Sequence, residues 1–232
     1  GNVLKTIPSE FGNLVNLQTL NLSDNQIRAL PGELSMLSNL KELDLTKNII
    51  QNLPVEIGQI ESLVTLKLGL NKLVEFPEEL AGLPNLEELT AFENPGLSEV
   101  PYVGKMLKLK RLDLHALQLT AVPGLEKLVE LEELNLRDNY KLGKVPEAVG
   151  YLTNLKSLNL HSCRIKTVPN YIARLQQLDN LDLGDNSIGD DGLPPEFASL
   201  TTLTRLRLTK NEFTVFPPTL ESLTNLRELE IG

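Results

Sequence analysis

One leucine pattern recurs along this chain at an almost fixed interval. L-x-x-L-x-L-x-x-N, with a few departures, begins at Leu17, Leu40, Leu63, Leu86, Leu109, Leu131, Leu155, Leu178, Leu203 and Leu226, at intervals of 23, 23, 23, 23, 22, 24, 23, 25 and 23 residues. A unit of this size cannot hide its own leucines from water. Units stacked side by side bury them against one another, so the pattern restricts the chain to a quasi-one-dimensional array. With 232 residues, 41% of them apolar, the chain has ample material for a continuous core.

Within each unit the hydrophobic period changes. In "LQTLNLS" the alternation of Leu20, Asn21 and Leu22 is that of a strand with its leucines on one face. Further on, Leu34 and Leu37 are three apart, which suits a short helical or 3₁₀ turn returning over the top. A proline opens each return (Pro31, Pro54, Pro77, Pro101, Pro123, Pro146, Pro169, Pro217) and fits a first helical position, where no N–H is needed. One coil is thus strand, loop, short helix, loop, with the strands pairing in parallel along one side.

Asn25, Asn48, Asn71, Asn94, Asn139, Asn186 and Asn211 sit where the chain leaves the strand and bends inward. The backbone there has N–H and C=O groups without ladder partners, and a buried amide serves both kinds. Cys163 takes this position in one unit and Leu117, which cannot hydrogen-bond through its side chain, in another. The unit of Leu117 is also one residue short, so its turn must satisfy its backbone differently.

The repeats, with returns such as "ALPGELSMLSN" and "NLPVEIGQIES", resemble the leucine-rich repeat family over essentially the whole length. That resemblance implies an α/β fold: a curved, horseshoe-like solenoid with a parallel β-sheet on the concave face and short helical or 3₁₀ turns on the convex face. It also implies that the asparagines form a ladder through the body, and that Cys163 is a tolerated replacement with a buried, structural thiol. The segment "DNSIGDDGLPPEFASLTTLTRLRLTKNEFTVFPP" is similar to the Ras-group class, which includes Ras suppressor, plant intracellular Ras-group and Scribble-like proteins. "KLGKVPEAVGYLTNL" leans toward the plant-specific subclass; the first resemblance is the stronger.

Three units carry insertions after the ladder position: one residue each in "ENPGLSEV" and "DNYKLGKV", two in "DNSIGDDGLPPEF". Such insertions belong in loops. Residues 1–232 are expected to form one repeat domain of about ten units, cut inside a repeat at both ends and so drawn from a larger protein or packed on something else.

A net charge of −9 argues against a hold on phosphate backbones, and no apolar run approaches the ~20 residues that span a bilayer. A protein partner is therefore expected, not nucleic acid or membrane. A single cysteine excludes an internal disulfide framework and favours a reducing, cytoplasmic setting. No phosphate-cradling glycine loop, H-E-x-x-H sequence, metal-spaced cysteine pair or nucleophile beside a base is present, so neither catalysis nor a cofactor is expected.

The strand pattern instead points to a surface. If the strand leucines face inward, the residues between and after them line up in columns with neighbours roughly 4.8 Å apart. Directly after the second strand leucine the column reads Ser23, Thr46, Gly69, Phe92, His115, Arg137, His161, Gly184, Thr209, collecting both histidines of the protein. Arg111, Asp113, Glu133 and Asp138 lie beside it. Aromatic and guanidinium anchors among groups that hydrogen-bond either way have the composition of a protein-binding hot spot. A shared zinc is not expected, because His115 and His161 are two strands, roughly 9–10 Å, apart. Arg205, Arg207 and Lys210 form a second, basic patch with two readings: Arg205 and Arg207 as partner-binding residues for an acidic peptide, or, favoured, a patch that Glu228 and Glu230 on the next strand neutralise. Glu42, Asp44, Glu88 and Glu93 make the N-terminal concave face acidic.

A protein-interaction module in intracellular signalling or scaffolding is the expected role, with small GTPases or their assemblies as partners implied by the Ras-group resemblance. The alternatives are a regulatory or substrate-recognition region of a larger kinase, cyclase or ubiquitin ligase, and a receptor ectodomain. The last would be expected to carry cysteine-paired caps and frequent glycosylation sequons, whereas the chain has just one sequon, Asn21-Leu22-Ser23, lying in a strand.

Overall fold

The structure, a computed structural model, describes residues 2–232. Ten three-residue strands lie in one sheet in strict sequence order. They are β1 (Thr19–Asn21), β2 (Glu42–Asp44), β3 (Thr65–Lys67), β4 (Glu88–Thr90), β5 (Arg111–Asp113), β6 (Glu133–Asn135), β7 (Ser157–Asn159), β8 (Asn180–Asp182), β9 (Arg205–Arg207) and β10 (Glu228–Glu230). All neighbours are parallel and pair leucine to leucine, Leu20↔Leu43 at one end and Leu206↔Leu229 at the other. The leucine spacing enforces this register, because a one-residue slip would turn every strand leucine out to solvent. The strand leucines stack with Leu34, Leu37, Leu40 and their counterparts into one unbroken core.

Each strand returns through a 3₁₀ segment, five residues long in most units. The prolines sit one residue earlier than expected. Pro31, Pro54, Pro77, Pro146, Pro169 and Pro217 occupy the N-cap with φ between −61° and −77° and extended ψ. Their carbonyls accept the first i→i+3 bond, as Leu34 N–H donates to Pro31 O at 3.3 Å and Ile57 N–H to Pro54 O at 3.0 Å. The missing N–H matters little there, and the ring holds φ for the entry. Pro195 and Pro218, inside their segments, do take early helical positions.

Pro101 and Pro123 depart further, lying in turns ahead of three-residue 3₁₀ segments, Val103–Lys105 and Leu125–Lys127. These two adjacent returns are tight. Gly124 adopts φ 77° and ψ 5°, the third position of a type II turn after Pro123, and a Cβ on it would stand 2.9 Å from Gly104 Cα. Two backbones in contact explain how the unit of Leu117 tolerates its lost residue.

The ladder is as expected. Asn48 accepts from Ile27 N–H (3.0 Å) and donates to Leu22 O and Leu45 O (3.0 Å each); Asn71, Asn94, Asn186 and Asn211 repeat the scheme one coil on. Asn25 begins it, accepting from Leu4 N–H. The residue before each ladder position, from Asp24 to Lys210, is left-handed with φ of 50–59°. That twist swings the ladder side chain inward.

Leu117 and Cys163 reveal a compensation. In an ordinary coil the N–H two residues past the ladder position donates to the next coil's amide. In the coils before Leu117 and Cys163 no such amide exists, and these are the two coils with a one-residue insertion. The extra residue closes a local turn, Leu97 N–H donating to Asn94 O and Leu142 N–H to Asn139 O, both 2.9 Å. On the other side, a second left-handed residue follows each replacement, Gln118 (φ 61°) and Arg164 (φ 56°). Two N–H groups thereby converge on one amide oxygen: Leu117 and Leu119 on Asn139 (3.3 and 2.9 Å), Cys163 and Ile165 on Asn186 (3.0 and 2.9 Å). The Cys163 thiol donates to Leu136 O at 3.2 Å, and burial pushes it up to about 12.

The two-residue insertion ties coils together differently. The Asp190 carboxylate accepts from Thr214 N–H (2.7 Å), Val215 N–H (3.1 Å) and the Thr214 hydroxyl, and these bonds hold its pKa below the usual carboxylate value.

Candidate functional site

Strand leucines point into the core, so the intervening side chains stand on the concave face. Phe92, His115, Arg137 and His161 fall in one column there, as the spacing predicts, and both histidines are half-buried. Phe92 leans over the preceding coil, where Gly69 leaves room; a Cβ at Gly69 would collide with the ring. The His115 imidazole stacks on Phe92 with centroids 4.6 Å apart and planes 7° from parallel. His161 leans the other way, over Gly184, whose Cβ would lie 2.8 Å from its Nδ1.

The column between the strand leucines has a role that the spacing did not disclose. Side-chain oxygens of Asn21, Asp44, Asp113, Asn135, Asn159 and Asp182 each accept the N–H two residues on, at 2.9–3.2 Å. These Asx turns bend the chain out of the strand. Asp113 Oδ1 also lies 2.8 Å from His115 Nδ1, so the carboxylate keeps the proton on that nitrogen and fixes the ring beneath Phe92. The signal was legible in principle, as Asn or Asp at one repeat position two residues before a turn. The sequon Asn21 belongs to this set, its oxygen bonded to Ser23 N–H and hydroxyl.

Charged groups on the face are mostly paired. Lys67 bonds Glu42 at 2.8 Å, which raises its pKa, and Arg111 bonds Glu88 at 2.7 Å, so the N-terminal acidity is partly neutralised. Arg137 is exposed, its Nε donating to Asp138 at 3.0 Å, with Asp138 itself at a left-handed turn position. Arg207 bonds Glu230 at 2.9 Å and lies 3.6 Å from Glu228, the neutralisation expected. Arg205 instead turns back to Asp179, at 3.5 Å. Both arginines lie on β9, apart from the central column. Arg111, Asp113 and Glu133 come together around a recess of about 320 Å³ over β4–β8.

This arrangement offers anchors and hydrogen-bonding groups. Among the described residues no group of three His, Cys, Asp or Glu side chains is placed to hold a metal ion, and no helix is long and apolar enough to cross a membrane.

Three family models match: "Leucine Rich repeats (2 copies)" over residues 2–56, "Leucine rich repeat" over 38–95 and "Leucine-rich repeat region" over 139–232. Among solved structures, an LRR protein of Leptospira interrogans is 31% identical with a TM-score of 0.69, over 100% of this chain and 71% of that one. The Arabidopsis receptor kinase HAESA, solved in complex with the peptide hormone IDA and a co-receptor, is 26% identical with a TM-score of 0.73, over 92% of this chain and 38% of that one. Plant intracellular Ras-group-related LRR protein 8 of Oryza sativa subsp. japonica is 37% identical over 93 residues, 39% of this chain and 25% of that protein. The chain spans 15–38% of the length of the first curated relatives it matches.

Proposed function

Because this chain belongs to the leucine-rich repeat family, we propose that it is a non-catalytic interaction module that binds a protein partner on its concave face. The observation that carries this reading is the Phe92–His115 stack. It is a flat, partly exposed ring pair bedded over a glycine and held by Asp113, so a partner would meet an anchor that is already ordered. Arg137 stands next in the column, with Arg111, Asp113, Glu133, Asp138 and His161 around it.

The setting we propose is cytoplasmic signalling or scaffolding, with small GTPases or their assemblies as first candidates. The partial likeness to the rice Ras-group protein supports the candidates, and a lone buried cysteine suits a reducing compartment. A second reading, the recognition region of a larger receptor or enzyme, is favoured by the likeness to HAESA and by the small share of each curated relative that the chain spans.

Partner capture tests the proposal. Replacing Phe92 and Arg137 together by alanine should weaken binding of a captured protein by more than about 2 kcal/mol, roughly thirtyfold, with the melting temperature nearly unchanged. Unaltered affinity would remove the concave site.

A further inference from the structure

We propose that the recess over β4–β8 seats an arginine side chain of the bound protein; this rests on the concave-face reading above and names the chemistry that the face selects. Three carboxylates, Glu88, Asp113 and Glu133, border the recess against one cation, Arg111. Strand register sets Arg111 directly opposite Glu133. The guanidinium nevertheless turns to the other neighbour, its Nε and Nη2 both donating to one Glu88 oxygen at 3.1 and 2.7 Å. Glu133 is left exposed, and its carboxylate makes no hydrogen bond or ion pair among the described residues.

Two further groups on the lining keep acceptors open. Asp113 commits Oδ1 to His115 and keeps Oδ2 free. Asn180 donates through Nδ2 to the Ser157 hydroxyl at 3.1 Å, which leaves its own oxygen open. These open acceptors stand beside an unbalanced negative charge, on a lining where Thr90, Ser157 and Asn159 keep neutral hydroxyl and amide donors. The ligand that complements the charge and the open carboxylate oxygens is a donor-rich cation, and guanidinium carries five N–H groups in a planar fork.

Geometry favours the fork over an ammonium. Asp113 and Glu133 stand on adjacent parallel strands on the diagonal of their pairing, about 8 Å apart for strands ~4.8 Å apart with a rise of ~3.3 Å per residue, a span that a guanidinium bridges with different edges. The volume, about 320 Å³, equals about ten waters at roughly 30 Å³ each, room for one arginine side chain with its stem. The Phe92–His115 stack lies one column away, beside the seat.

The ¹⁵N-labelled chain, titrated at about 0.15 M salt to screen diffuse attraction, tests this with three probes: N-acetyl-arginine amide, N-acetyl-lysine amide and N-acetyl-citrulline amide. The arginine probe should shift the backbone amides of 111–113 and 133–135 saturably, the lysine probe more weakly, and the uncharged citrulline probe not at all. Glu133→Gln, at an exposed position, should leave the rest of the spectrum in place and weaken the arginine probe at least about fivefold. Equal responses to arginine and citrulline, or to arginine and lysine, would overturn the seat, as would an undiminished response in the variant. If the seat fails while the Phe92 and Arg137 substitutions still abolish partner binding, the concave reading stands without it. If the seat holds while those substitutions do nothing, the Phe92–Arg137 anchor falls and the partner is held by the recess instead.

Discussion

A methyl group at residue 69 separates packing from chemistry on the concave face. Gly69 has no left-handed backbone to protect, so Gly69→Ala acts through the collision with the Phe92 ring alone. It should cost about 1–3 kcal/mol in thermal unfolding, and most of that cost should vanish in Gly69→Ala/Phe92→Ala; a cycle without coupling would mean that the ring does not rest on the glycine. Cys163 gives a second test at this scale. Burial raises the thiol from 9.0 to about 12, so the folded protein resists an ionisation that the unfolded chain undergoes. The contribution to stability is intact below pH 9.0 and lost progressively as the pH rises toward about 12. Cys163→Ser should flatten that alkaline loss, and a thiol reagent should label the wild type only after denaturation.

At the scale of one coil, an inserted residue and the next coil's side chain are coupled. Leu117→Asn would restore the family's residue, yet the Leu97 N–H, which the insertion puts in place of the one such an amide serves, is already bonded to Asn94 O. Its buried oxygen would lack a donor, so the variant should lose about 1–3 kcal/mol by denaturant titration. Deleting Pro95 in the same variant should recover part of the loss by reopening the turn. A Leu117→Asn protein as stable as the wild type would show that the insertion and the replacement are independent. The prolines are settled at this scale too. The three-residue spacing of Leu34 and Leu37 announced a tight return, but the first helical residue depends on which carbonyl accepts the first bond, and Pro31 O does so from the N-cap.

At the scale of the whole molecule, the ten coils share one core, and removing a leucine from its middle leaves a gap between two neighbours. Leu134, 2% exposed on β6, should cost about 2–5 kcal/mol as Leu134→Ala. Leu229, 37% exposed on β10, should cost far less as alanine, because there is less buried surface to lose. Equal losses would contradict the stacking order. The strand register, the leucine core, the asparagine ladder and the common column of Phe92, His115, Arg137 and His161 were all determined by the sequence alone, since each follows from a fixed period acting on side-chain direction. The tertiary structure alone decided that Arg111 turns to Glu88 and leaves Glu133 open, that Phe92 and His115 stack over Gly69, and that Asp113 holds the imidazole. Those outcomes depend on which of several neighbours a side chain reaches, and a period specifies who the neighbours are without choosing among them.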